Sequence, residues 1–160
     1  MDSKFLGVIP VFGGFRTELL DRLVGRCMLV EHAAGAEIVT EGALAREMFV
    51  VRAGELEVFK RNSHGTEVRL AVLREGDCVG EMSLIDIQPR SASVRARGNA
   101  SLLVISREDL VEACKGEPDA WTMLVMNIAR EISRRLRKAD ALLAEKAIEA
   151  QEIWSGVGRS

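Results

Sequence analysis

The stretch GEMSLIDIQPRSASVRA, Gly80 to Ala96, decides how this chain is read. It interrupts a run of short apolar segments and departs from their pattern. It begins with Gly-Glu, holds a short helical turn around Met82 to Ile85, and returns through Gln88-Pro89 into a strand carrying Arg90. The start of a helical turn exposes backbone N–H groups that attract anionic oxygens. Gly80 lets the backbone come close to a ligand. Arg90 offers a planar fork of donors suited to two phosphate oxygens, and Ser91 adds a hydroxyl. Glu81 would repel phosphate but can accept hydrogen bonds from a sugar hydroxyl. Acid, amides and arginine together describe a ribose-phosphate pocket.

Outward from this stretch, residues from about Arg26 to Ser106 read as strands. CMLVEHA, EIVTEG, EMFVVRAG, LEVFKR, EVRLAVLREG, ASVRARG and SLLVIS are apolar and β-branched, and most end at glycine or charge. Turn signals about ten residues apart predict an all-β sandwich or barrel. Asn62-Ser63-His64-Gly65 reads as a hairpin loop. Leu56 and Val58 share one strand face and Glu57 the other, with Phe59 on Glu57's side, so both faces are expected to be covered in part.

Helices are expected at the two ends. Before the strands, Thr17 is a predicted N-cap and Gly25 a stop. After them, Ser106 caps a short helix with Glu108 and Asp109 in its first turn, stopping near Gly116. Glu117-Pro118-Asp119 then opens a long helix. Its apolar face is Trp121, Val125, Ile128, Ile132, Leu136, Ala139, Leu143 and Ala147, about 30 residues or roughly 45 Å. Such a helix outruns a small sandwich, so it docks at its start and projects at its end, or pairs with a copy of itself.

Composition narrows the function. The 160 residues are 48% hydrophobic with a net charge of −2. That supports a core without disulfides or metal and argues against a broad nucleic-acid interface. Cys27, Cys78 and Cys114 form no CxxC pair and are expected as buried free thiols. His32 and His64 lie too far apart for a metal-binding cupin. The basic run Arg130, Arg134, Arg135, Arg137, Lys138 is broken by Glu131 and reads as a solvated helix face. With no signal peptide and no spanning segment, the expected location is the cytoplasm. Nothing assembles a nucleophile, base and oxyanion site, so no enzyme is expected.

The motif GEMSLI, followed after three residues by PRSASVRA, resembles the phosphate-binding cassette of the cyclic nucleotide-binding domain. IPVFGGFRTELLDRLV is similar to that family's N-terminal helical segment. AGAEIVTEG, VRAGELEVF and LREGDCVGE resemble its glycine-marked strand turns, and SREDLVEAC its helix after the last strand. The resemblance implies a mainly β fold with flanking helices: an eight-stranded, jelly-roll-like β-roll (a double-stranded β-helix) with an N-terminal helix and a long C-terminal helix. The organisation implied is a β-roll with its helices over residues 1–116, a lid or dimer helix over 117–154, and a flexible tail over 155–160.

The resemblance also implies roles. Glu81 would hold the ribose 2′-hydroxyl and Arg90 the cyclic phosphate. Gly80, Met82 and Ser83 would line the cassette, with amides near Met82 and Ser83 facing the ligand, and Ser91 and Ala92 would complete it. The ligand implied is cyclic AMP, with cyclic GMP the alternative because Ser91 suits either base, and no cofactor is needed. Where catabolite activators carry an adenine-reading Thr-Ser pair, the comparable stretch here is Arg134-Arg135-Leu136, so an arginine is expected to stack on the base. With the sequence ending at Ser160, a stand-alone sensor without a DNA-binding domain is expected. It would signal to a protein effector, with no nucleic-acid or membrane partner and with a homodimer through the long helix. The other reading is a degenerate domain serving only protein–protein contact.

Overall fold

The computed structural model describes residues 3–86 and 88–157, the last six of these through their backbone. Helices α1 (Ser3–Gly7) and α2 (Thr17–Val24) flank a 3-10 turn at Pro10–Phe12. Eight strands follow: β1 (Met28–His32), β2 (Glu37–Val39), β3 (Glu47–Ala53), β4 (Leu56–Arg61), β5 (Glu67–Leu73), β6 (Cys78–Val79), β7 (Ser93–Ala96) and β8 (Ala100–Ser106). Between β6 and β7 lies a second 3-10 turn, Glu81–Leu84. The chain continues through α3 (Arg107–Ala113) and α4 (Pro118–Val157).

Two antiparallel four-stranded sheets form, in the orders β1-β8-β3-β6 and β2-β7-β4-β5. The apolar runs MFVV in β3 and LLVI in β8 explain why these strands sit at the centre of the first sheet. Met48, Val50, Leu103 and Ile105 point to a helical layer with Leu6, Phe12, Leu19, Leu110, Leu124 and Ile128. Phe49, Val51 and Leu102 point the other way, to Val39, Leu56 and Val94 of the second sheet. A strand covered on both faces needs apolar residues at successive positions, not alternate ones.

Phe59 of the second sheet is fully buried, covered in part by two arginines. Arg95 lies 4.4 Å from its ring centroid and Arg61 5.0 Å. Arg95 is held by Glu57 and Glu67, and Arg61 by Glu67 and Glu37. The expected hairpin loop is present: the Asn62 side-chain oxygen accepts from the His64 and Thr66 amides, and Gly65 takes φ 79°.

Several helix details differ from expectation. Thr17 is the first helical residue. The N-cap is Arg16, whose carbonyl accepts from the Leu19 and Leu20 amides and whose side chain makes no capping bond. The short helix has its expected Ser106–Asp109 capping box but ends at Ala113, before Gly116. The docked face of α4 is turned from the expected stripe. Ala120, Leu124, Asn127 and Ile128 are buried, while Trp121 and Ile132 are only partly covered. The cause is Asn127, whose amide donates to the Val11 and Gly13 carbonyls and pulls its face onto the N-terminal segment. Beyond Ser133 the helix projects, with Leu136 and Leu143 exposed. It continues to Val157, so residues 155–157 of the expected tail are helical and 158–160 lie outside the described residues. No described helix is long and apolar enough to cross a membrane. Cys78 and Cys114 are buried and Cys27 half-buried, all free.

Candidate functional site

Gly80 takes φ 84°, a left-handed conformation that glycine adopts without steric cost, and starts the turn Glu81–Leu84. A Cβ there would stand 2.2 Å from Arg90 Nη1 and 2.9 Å from the Glu47 carbonyl oxygen. From sequence, Gly80 is expected to admit a ligand; the group that comes close is the Arg90 guanidinium.

Arg90 is buried. Its backbone is pinned by its amide donating to the Ala43 carbonyl and its carbonyl accepting from the Gly42 amide. Its Nη1 donates to the Ser83 hydroxyl at 3.0 Å, and its Nη2 to the Glu47 carbonyl at 2.6 Å, with the Glu47 carboxylate 3.7 Å away. Burial lowers its pKa, against the pull of Glu47 and Glu81. A guanidinium carries more N–H donors than these contacts use. Ser83 therefore differs from expectation. Its hydroxyl oxygen accepts from Arg90, which leaves its O–H free to donate, while its amide donates to the Gly80 carbonyl and is not an open ligand donor.

Glu81 is 1% exposed. Its Oε1 accepts from Arg135 Nη1 of α4 at 2.7 Å, and Arg135 Nη2 donates to the Cys78 carbonyl at 3.1 Å. Its Oε2 is buried and makes no hydrogen bond among the described residues. Buried carboxylate oxygens are costly to leave unpaired, so this atom calls for a donor from outside the chain.

These groups share a cavity of about 460 Å³. Gly80, Glu81, Met82, Ser83, Arg90, Ser91 and Ala92 all line it, so the structure brings every sequence-predicted site residue together. Val58, Ala71, Val72 and Leu73 of β4 and β5 form its apolar wall, and Glu131, Arg134, Arg135 and Lys138 of α4 its roof. Neither arginine expected over the base stands free. Arg134 is tied to Glu131, and Arg135 to Glu131 and Glu81. Burial raises the Glu131 pKa, but the two arginines outweigh it and hold the carboxyl below its usual range. Burial pushes the nearby Cys78 thiol up to about 12.

Glu47 escapes sequence reasoning, and Arg135 is expected only as a base-stacking arginine and not as the partner of Glu81. Glu47 reaches Arg90 across 43 positions, and nothing in its strand marks it. Arg135 stands among arginines that share one helix, and only its contact with Glu81 distinguishes it. Chemically, the site pairs a fixed cation with an open carboxylate oxygen beside an apolar wall. That suits an anion joined to a hydroxylated ring and a flat base. Among the described residues no group of three His, Cys, Asp or Glu is placed to hold a metal.

Comparison with known proteins agrees with this chemistry. Residues 29–117 match the family described as the cyclic nucleotide-binding domain. A cyclic AMP receptor protein of Thermus thermophilus is 33% identical over 82% of this chain and 59% of its own length. A cyclic nucleotide-gated channel of Caenorhabditis elegans is 33% identical over 90% of this chain and 19% of its own length. The chain thus spans about three-fifths of one relative and a fifth of the other. The N-terminal domain of a transcriptional regulator from Streptomyces coelicolor superposes with a TM-score of 0.73 at 29% identity, over 87% of this chain and 94% of that one.

Proposed function

The chain belongs to the cyclic nucleotide-binding domain family, and we propose that it is a sensor that binds cyclic AMP in the cavity beneath α4 and acts by binding, not by catalysis. The observation that carries this is Glu81 Oε2, buried on the cavity wall without a partner among the described residues. A ribose 2′-hydroxyl would supply its missing donor. The free donors of Arg90 would take the cyclic phosphate, and the wall of Val58, Ala71 and Leu73 would cover the base. Each charge-assisted bond contributes about 1.5–3 kcal/mol, so a handful reaches micromolar affinity. Similarity to a relative named for cyclic AMP supports the choice of ligand.

The signal would travel through α4. Arg135 joins the roof helix to Glu81, so a ligand on Glu81 has a direct grip on the helix position. Only unequal affinity for two helix positions can shift their populations. The projecting half of α4, with Leu136, Leu142 and Leu143 exposed, is the surface offered to an effector or a second copy.

Thermal unfolding tests the ligand. At ~100 times Kd a ligand adds about 2.7 kcal/mol, or roughly 5–10 °C at this chain length. Cyclic AMP should produce that rise and Arg90→Ala should abolish it. No rise at millimolar cyclic AMP or cyclic GMP would leave the protein-contact reading.

A further inference from the structure

We propose that Glu47 sets the ligand charge that the site accepts, so that Arg90 holds a phosphodiester monoanion and turns away a phosphomonoester dianion such as the open-ring 5′-nucleotide. The inference rests on the cyclic nucleotide reading of the site and assigns it a charge-selecting residue outside the cassette.

Glu47 opens β3, and its carboxylate is aimed by the backbone beside it. Oε2 accepts from the Arg46 amide at 3.2 Å, and Oε1 stands 3.7 Å from Arg90 Nη2. The Arg46 guanidinium pairs with Glu108 instead. At 3.7 Å the carboxylate is too far to take a hydrogen bond from Arg90. The Nη2 donor goes to the Glu47 backbone carbonyl at 2.6 Å. The carboxylate therefore offsets the charge of Arg90 without using its donors, and the remaining N–H groups stay available to phosphate oxygens. With the Arg90 side chain 5% exposed and that of Glu47 38%, water screens the pair only in part.

The rest of the cavity offers little to a second phosphate charge. Arg134 and Arg135 of the roof are held by Glu131 and Glu81, and Lys138 is exposed, so water screens it. Asp77 and Asp86 add negative charge to the lining. A phosphodiester carries one negative charge at neutral pH, which Arg90 can balance. A phosphomonoester loses its second proton near about pH 6 and brings a second charge, which meets Glu47 behind the guanidinium. The penalty from one carboxylate scales with ligand charge. If it weakens a monoanion about fivefold, it weakens a dianion by the square of that factor, about 25-fold.

Calorimetric titration at about pH 8 of the full chain, Glu47→Gln and Glu47→Ala with cyclic AMP, 5′-AMP and the methyl ester of 5′-AMP tests this. The two open nucleotides share their ring and differ by one charge, and competition against cyclic AMP measures the weaker of them. The parent should bind the methyl ester at least about fivefold more tightly than 5′-AMP. Glu47→Gln should tighten cyclic AMP and the methyl ester about fivefold and 5′-AMP about 25-fold, so the gap between the open nucleotides narrows about fivefold. Glu47→Ala should narrow it as much, since the backbone carbonyl that holds Arg90 survives both changes. A gap left unchanged in either variant would overturn the proposal, because a purely structural role for Glu47 alters all three affinities alike. So would equal binding of the two open nucleotides by the parent. Binding of neither by the parent or the variants at millimolar concentration would place the choice in ring closure and overturn it too. Failure of cyclic AMP to bind the parent would overturn the site reading itself.

Discussion

Removing Arg135 leaves a buried carboxylate without its counter-charge, and the size of that effect follows from exposure. The Glu81 side chain is 2% exposed and the Arg135 side chain 44%. Breaking a fully buried pair by deleting one partner costs about 3–5 kcal/mol. Here water reaches one side of the pair, which reduces the expected cost of Arg135→Ala to about 1–2 kcal/mol. Glu81→Gln removes the charge that needs Arg135. In that background Arg135→Ala should cost only ~0.5 kcal/mol, leaving a coupling of about 1 kcal/mol. Urea denaturation of the parent, both single variants and the double variant, without nucleotide, measures it. Additivity within ~0.3 kcal/mol would show that the two side chains do not act as a pair and would remove the link between cassette and roof helix.

Gly80→Ala should be worse than Gly42→Ala, though both glycines have nearly the same positive φ. At Gly42 nothing lies within 4 Å of the added Cβ, so only backbone strain of about 1–2 kcal/mol applies. At Gly80 the Cβ also meets Arg90, so denaturation should show ~2–4 kcal/mol and nucleotide affinity should fall at least about tenfold; equal losses at both glycines would refute this. Stability should also fall in alkali. The Cys78 thiol is raised from 9.0 to about 12, so the folded state holds its proton longer than the unfolded state. That contribution is full below pH ~9 and is lost toward pH ~12 at up to about 1.4 kcal/mol per pH unit. Denaturation at pH 8 to 10.5 should show a shallower decline for Cys78→Ala, and an unchanged slope would count against the assignment. Asn127→Leu should cost about 1–3 kcal/mol by stripping the Val11 and Gly13 carbonyls of their donor, which thermal melts would detect.

Features that depend on local pattern were legible from sequence, and features that depend on distant partners were not. Seven strands are recognisable because each carries its own apolar run. The eighth, Cys78–Val79, is too short for any periodicity and exists because it pairs with Phe49 and Val50 of β3. The seven cassette residues fall in two short runs, Gly80 to Ser83 and Arg90 to Ala92, and line one cavity. Glu47, which supports Arg90, lies in a distant strand. The docked face of α4 was misplaced because an asparagine reads as polar, and only its two carbonyl partners turn it inward. Sequence alone places an arginine of α4 over the base because the carboxylate partners of these arginines cannot be ranked without geometry. One of those partners, Glu81, is 54 residues away from Arg135.

The central claim is that Arg90 and Glu81 hold a cyclic nucleotide. Isothermal titration with cyclic AMP and cyclic GMP, run on the parent and on Arg90→Ala with its fold checked by circular dichroism, tests it most directly. The account predicts saturable binding near one ligand per chain at micromolar Kd, abolished in folded Arg90→Ala. Absence of heat from either nucleotide at millimolar concentration, or undiminished binding by the variant, would contradict it.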